Sequence, residues 1–180
     1  GLTLCNGQQG SASDLLKQAD LALYAAKDAG RNGLALFTPE LSRAAELRQQ
    51  LEQELRLALE REEFELFYQP QVDASGQAQS MEALLRWRSP SRGLVSPADF
   101  IPVAEQSGQI LPVGAWVLST AGQTLAHWLQ VPALARLTLS VNVSARQFLQ
   151  ADFVDQVAAV VHEFGLNPSR LKLELTESTL

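Results

Sequence analysis

One cysteine in 180 residues, Cys5, excludes an intrachain disulfide and suits a reducing compartment. Two histidines, His127 and His162, both fall in helical stretches without an obvious partner, so no His/Cys set for zinc exists and both read as surface or packing residues. No apolar run reaches transmembrane length, and no signal-like segment stands at the start. Positive charge is also scarce: 14 Lys and Arg against 20 Asp and Glu give a net charge of -6. That balance leaves no footprint for a nucleic-acid polymer, so an anionic ligand needs local help from an arginine or a metal. These absences together predict a cytoplasmic location. What is present is 46% hydrophobic residues, enough for one domain with a real core or for pieces of two. The chain opens on glycine and closes on a strand running into a loop, so both ends are expected to be cuts through a larger protein.

The stretch Met81-Glu-Ala-Leu-Leu-Arg-Trp87 sets an acid and a guanidinium inside an apolar run. As a strand it turns Glu82, Leu84 and Arg86 one way and Met81, Ala83, Leu85 and Trp87 the other. Phe64 to Val72 alternates as well, with Gln69 on the side of Glu65 and Phe67. The gap between these two strands is a turn, Asp73 to Gly76, too short for a helical crossover, so they should pair as an antiparallel hairpin. Further on, Leu137 to Val143 presents Thr138, Ser140 and Asn142 on its polar face, and Leu171 to Glu177 presents Lys172, Glu174 and Thr176. Helical patterns separate them: one roughly over 112–129 and another over 153–164. Ser96 is expected to cap a short helix with Pro97 at its first position, and a further helical piece is expected over Pro102 to Gln109, ending near Gly108. Strands alternating with helices predict a parallel sheet with covering helices. A polar side on each strand is unusual there and fits a barrel whose mouth holds a polar site.

Glu82, Asn142 and Glu174 are oxygen donors on three such strands and suit Mg²⁺ or Mn²⁺. Arg86 supplies a fork that matches phosphate, and Gln69, on the paired strand, reaches toward a ligand. Each has a plainer alternative: a Glu82–Arg86 salt bridge, Asn142 as a strand-end cap, Glu174 solvated on an edge strand. Glu177 falls off the polar register and belongs to the following loop. Active groups of parallel barrels stand at the carboxyl ends of strands, whereas Glu82 falls early in its run.

Two resemblances carry the reading further. Ala19-Asp-Leu-Ala-Leu-Tyr24-Ala-Ala-Lys27-Asp-Ala-Gly30-Arg31-Asn32 resembles the closing helix of GGDEF domains, the diguanylate cyclase family, over residues 1–38. The namesake loop and the metal acids of that family are absent; Lys27 and Arg31 match positions that contact phosphate in that family, but in this chain they read rather as cations favouring a helix end. Residues 39–63, with Leu47, Leu51 and Leu55 every four positions, read as an amphipathic linker helix. From 64 to 180, Tyr68-Gln69-Pro70, Glu82-Ala-Leu-Leu-Arg86-Trp87, Ala98-Asp-Phe-Ile-Pro102, Asn142-Val-Ser144 and Glu174-Leu-Thr-Glu177 occur in the order seen in EAL domains, the cyclic-di-GMP phosphodiesterase family.

The resemblance implies an α/β fold: a partial, modified TIM (β/α)₈ barrel with an antiparallel first strand, preceded by the tail of an α/β GGDEF domain. It implies that Glu82, Asn142 and Glu174 hold two Mg²⁺ or Mn²⁺ ions, that Arg86 and Gln69 meet the substrate, and that Glu177 steadies a loop. The implied reaction, in the intact parent, is hydrolysis of cyclic di-GMP to linear pGpG. Further acids and a catalytic lysine are expected beyond Leu180, so this stretch by itself is expected to be inactive. The implied setting is a homodimer downstream of a sensor domain. The alternatives are a module that binds cyclic di-GMP without cleaving it, or one that serves dimerisation and signal relay.

Overall fold

Alternating polarity along each strand leaves one side of a sheet to be covered by helices, and the computed structural model, which describes residues 1–5 and 11–175, shows that side filled. The chain divides into two compact units, Gly1–Gln53 and Glu54–Leu180. In the first, helix α1 (Ala12–Asp28) starts at a capping box in which Ser11 and Asp14 exchange hydrogen bonds. A parallel bridge joins Leu2 to Leu36. Helix α2 (Pro39–Ala58) crosses the boundary between the units. Its buried stripe begins a turn later than its leucine spacing suggests: Leu51, Leu55 and Ala58 are buried, whereas Leu47 is 55% exposed.

The second unit is built on strands β1 (Phe64–Val72), β2 (Ala78–Ser89), β3 (Gly93–Val95), β4 (Thr138–Val143) and β5 (Leu171–Leu175). The hydrogen-bonded order is β1-β2-β4-β5, with β3 paired to β2. β1 and β2 are antiparallel, as the short turn requires, while β2–β4 and β4–β5 are parallel. Helices α3 (Pro97–Ser107), α4 (Ile110–Leu129), α5 (Ala145–Phe148) and α6 (Phe153–Glu163) lie between strands in the chain. After Trp87, Gly93 at φ 72° turns the chain back and β3 pairs with β2. Pro102 does not open a new helix but sits inside α3, which ends where the sequence suggested, at left-handed Gly108. Ser96 occupies the cap position of α3 without a side-chain cap bond.

Turn chemistry fixes the β1–β2 register. Asp73 accepts hydrogen bonds from the Ser75 backbone and hydroxyl, from the Gln77 backbone and from the Gln79 amide. Those bonds, the Ser75 hydroxyl foremost, hold its carboxyl down to about 2. The folded value lies below the ordinary one, so the stabilisation is present at neutral pH and is lost as pH falls through about 2. A carboxyl-detected NMR titration should show Asp73 protonating near that value, with the Asp73→Ala turn losing its low-pH dependence.

The helix-facing side of the sheet carries the core. Phe64, Trp87 and Phe100 pack with ring centroids 5.6–6.1 Å apart, and Trp116 joins Phe64 at 6.0 Å. Such pairs add about 0.5–1.5 kcal/mol beyond their burial. Tyr68 bonds Thr124 at 2.8 Å and meets Trp128 edge-on, which fixes β1 on α4; burial pushes its phenol up, against that hydrogen bond. Gly122 lets α6 cross α4, since a Cβ there would stand 2.6 Å from Val160.

Candidate active site

The registers place the candidate residues on the sheet face opposite that core. Gln69 stands directly across from Glu82, Glu82 across from Ser140, Ser140 across from Lys172, and Asn142 across from Glu174. Partners across a ladder point to the same side, so Gln69, Glu82, Arg86, Ser140, Asn142, Lys172 and Glu174 share one face. Trp87, Val141 and Val143, one residue out of phase, are buried on the other.

Glu82 is not misplaced within its strand. β2 pairs with β4 over Ser80 to Ala83, and beyond that the strand continues as a partner of β1 and β3. Glu82 thus stands near the carboxyl end of the parallel portion, as Asn142 does in β4 and Glu174 in β5. Arg86 lies on the extension, past the end of that parallel pairing.

Asn142 Nδ2 donates to Glu82 Oε1 at 2.7 Å, which joins the first two members of the triad directly. Glu174 Oε1 lies 3.5 Å from Lys172 Nζ. Arg86 donates to the carbonyl of Leu85 at 3.0 Å, and its guanidinium carbon stands 5.5 Å from the centroid of the Phe67 ring. Among the described residues no carboxylate pairs with Arg86, so the plain Glu82–Arg86 salt bridge is not formed. Glu65, the nearest acid in register, is taken by Arg88 at 2.7 Å. Glu177 falls outside the described residues.

Two carboxylates and an amide are hard oxygen donors of the kind Mg²⁺ and Mn²⁺ take. The 2.7 Å hydrogen bond brings the Glu82 carboxylate and the Asn142 amide head group together. A half-turn of the Asn142 amide would present its oxygen in place of the nitrogen. The donor set therefore fits a divalent cation. Among the described residues no three His, Cys, Asp or Glu side chains cluster.

After Ala83 and Val141 the two central strands part. The gap opens into a cleft of about 590 Å³ walled by apolar side chains such as Leu85, Ile101 and Val113, with Arg86, Glu105, Asn142, Ser144 and Gln147 at polar positions. The loop on its β4 side is fixed by a capping box. Ser144 N and Oγ donate to Gln147 Oε1 at 3.2 and 3.0 Å, and Gln147 N donates to Ser144 Oγ at 3.3 Å. This box escaped the sequence reading, although Ser144-Ala-Arg-Gln147 after a strand is its signature. Gln147 is buried against Gly114, where an added Cβ would meet its amide nitrogen at 1.7 Å. Gly114→Ala should therefore displace Gln147 and cost about 1–3 kcal/mol of overpacking, less about 1 kcal/mol gained in helix propensity. Urea denaturation of that variant checks the net loss.

A family model described as "EAL domain" matches residues 52–180. The chain is 42% identical over 180 residues to the bifunctional diguanylate cyclase/cyclic di-GMP phosphodiesterase MucR of Pseudomonas aeruginosa, covering 99% of this chain and 26% of that protein. It is 36% identical to the cyclic di-GMP phosphodiesterase PdeR of Escherichia coli, covering 100% and 27%. The chain thus spans about a quarter of the length of these curated relatives. Among solved structures, the "PaMucR Phosphodiesterase, c-di-GMP complex" superposes with a TM-score of 0.69 at 45% identity, over 72% of this chain and 53% of that one.

Proposed function

The chain belongs to the EAL domain family, and from that premise we propose that the whole protein hydrolyses one phosphodiester of cyclic di-GMP to give linear pGpG. The observation that carries the reading is the run of oxygen donors across three adjacent strands, with Asn142 2.7 Å from Glu82 and Glu174 opposite Asn142, beside a guanidinium that no acid pairs with among the described residues.

In this reading Glu82, Asn142 and Glu174 hold Mg²⁺ or Mn²⁺. The bound cations would lower the pKa of a water and offset charge on the phosphoryl oxygens. Arg86 meets a phosphate through its fork, held ready by Phe67 and the Leu85 carbonyl. Gln69, opposite Glu82, donates or accepts at the same ligand. The cleft between β2 and β4 offers an apolar slot beside Arg86 that suits a flat purine. Water adds to phosphorus, the P–O bond to one sugar oxygen breaks, and that oxygen leaves with a proton.

Residues 1–38 are assigned to the end of a GGDEF domain and 39–63 to a linker helix. The support is the relative described as bifunctional, which aligns over 99% of this chain. A homodimer controlled by an upstream sensor completes the proposal. No helix among the described residues is long and apolar enough to cross a membrane.

The test is turnover by the full-length protein. Incubation with cyclic di-GMP and Mg²⁺ or Mn²⁺ should yield pGpG by chromatography, and a chelator should stop it. Binding of cyclic di-GMP without any pGpG would overturn the catalytic reading.

A further inference from the structure

Without a cation the two acids of the triad are matched from within. Asn142 donates to Glu82, and Lys172, two residues before Glu174 on the same strand face, brings its ammonium to 3.5 Å from Glu174 Oε1. Lys172 is also the register partner of Ser140, on a neighbouring strand about 4.8 Å away. Ser140 is fully buried, and its hydroxyl finds no hydrogen-bond partner among the described residues. An unpaired buried hydroxyl is costly, and a neighbouring ammonium has three donors to offer.

We infer that Lys172 is a positioning residue with two stations: it holds Glu174 while the cation site is empty and turns to Ser140 when Glu174 takes a divalent ion. This rests on the proposed metal-site reading and adds to it an internal counter-ion that sets how tightly the ion is held. Lys172 competes with the incoming ion for the same carboxylate oxygen and repels it across a few ångströms. Removing the ammonium therefore strengthens cation binding. The side chain is largely exposed, so screening limits the effect to about three- to tenfold.

The experiment titrates Mn²⁺ into the substrate-free full-length protein and reads binding by calorimetry and by electron paramagnetic resonance of the free ion. Lys172→Met should bind Mn²⁺ about three- to tenfold more tightly, and Lys172→Arg should stay close to the parent. Ser140→Ala should weaken binding about twofold with Lys172 present and leave it unchanged in the Lys172→Met background, a coupling that an independent structural role would not produce. Unchanged or weaker Mn²⁺ binding by Lys172→Met overturns the inference, as does an equal effect of Ser140→Ala in both backgrounds. Glu82→Gln separates the two layers. If it weakens Mn²⁺ binding while Lys172→Met changes nothing, the metal site stands and the counter-ion role falls. If the parent protein binds no Mn²⁺, both fall.

Discussion

Glu82→Gln in the full-length protein should lower turnover of cyclic di-GMP on the order of 10²–10³-fold, the usual cost of removing one group that stabilises developing charge. The substitution keeps the side chain's shape and keeps an oxygen where Asn142 Nδ2 now donates at 2.7 Å. It removes the negative charge. Glu82 is half-buried on an open face and makes no ion pair among the described residues, so stability should move by no more than about 0.5 kcal/mol. The contrast is the point of the experiment. If Glu82 served to orient Asn142 and nothing more, glutamine would do as well and turnover would survive. Substrate affinity separates the roles further, because Arg86 and the cleft are left in place. Steady-state kinetics should therefore show the loss in kcat with KM little changed.

Much of this site was legible because a strand's period is two. Glu82, Asn142 and Glu174 were separable from their apolar neighbours by alternation alone, and the registers put them side by side. The short Asp73–Gly76 turn likewise forced the antiparallel start of the sheet. What alternation could not supply was offset along the strand. Glu82 looked misplaced because its strand runs on past the parallel pairing, which ends at Ala83, to pair with β3, a three-residue strand with too short a pattern to notice. The Gly114–Gln147 contact was illegible for a different reason. It joins residues far apart in sequence, and a glycine in a helix says that something approaches closely without saying what. The Glu82–Arg86 pair shows the limit from the other side: a spacing suited to a salt bridge was available, and the structure spends Arg86 on Phe67 and a carbonyl instead.

Trp87→Ala should be the most damaging single change to the fold. Trp87 is fully buried, follows Arg86 directly, and lies on the core side of the strand that carries the site. Its ring meets Phe64 at 6.1 Å and Phe100 at 5.6 Å, so truncation opens a cavity that costs about 3–5 kcal/mol. A second cost is polar. Trp87 Nε1 donates to Glu63 Oε2 at 2.9 Å, and the other oxygen of that buried carboxylate already lacks a hydrogen bond among the described residues. Losing the indole leaves both oxygens short of a donor, with Arg61 at 3.9 Å as the remaining cation, and adds about 1–3 kcal/mol. Trp87→Phe separates the terms, because it fills most of the cavity and still drops the N–H. Guanidinium denaturation followed by far-UV circular dichroism should show the alanine variant losing about 4–8 kcal/mol of a stability of about 5–15 kcal/mol, and the phenylalanine variant losing about 1–3. Equal losses in the two variants would put the cost in the Glu63 hydrogen bond rather than in the packing. In the phenylalanine variant β2 keeps its register, so Glu82 and Arg86 keep their places and Mn²⁺ binding should persist while stability falls.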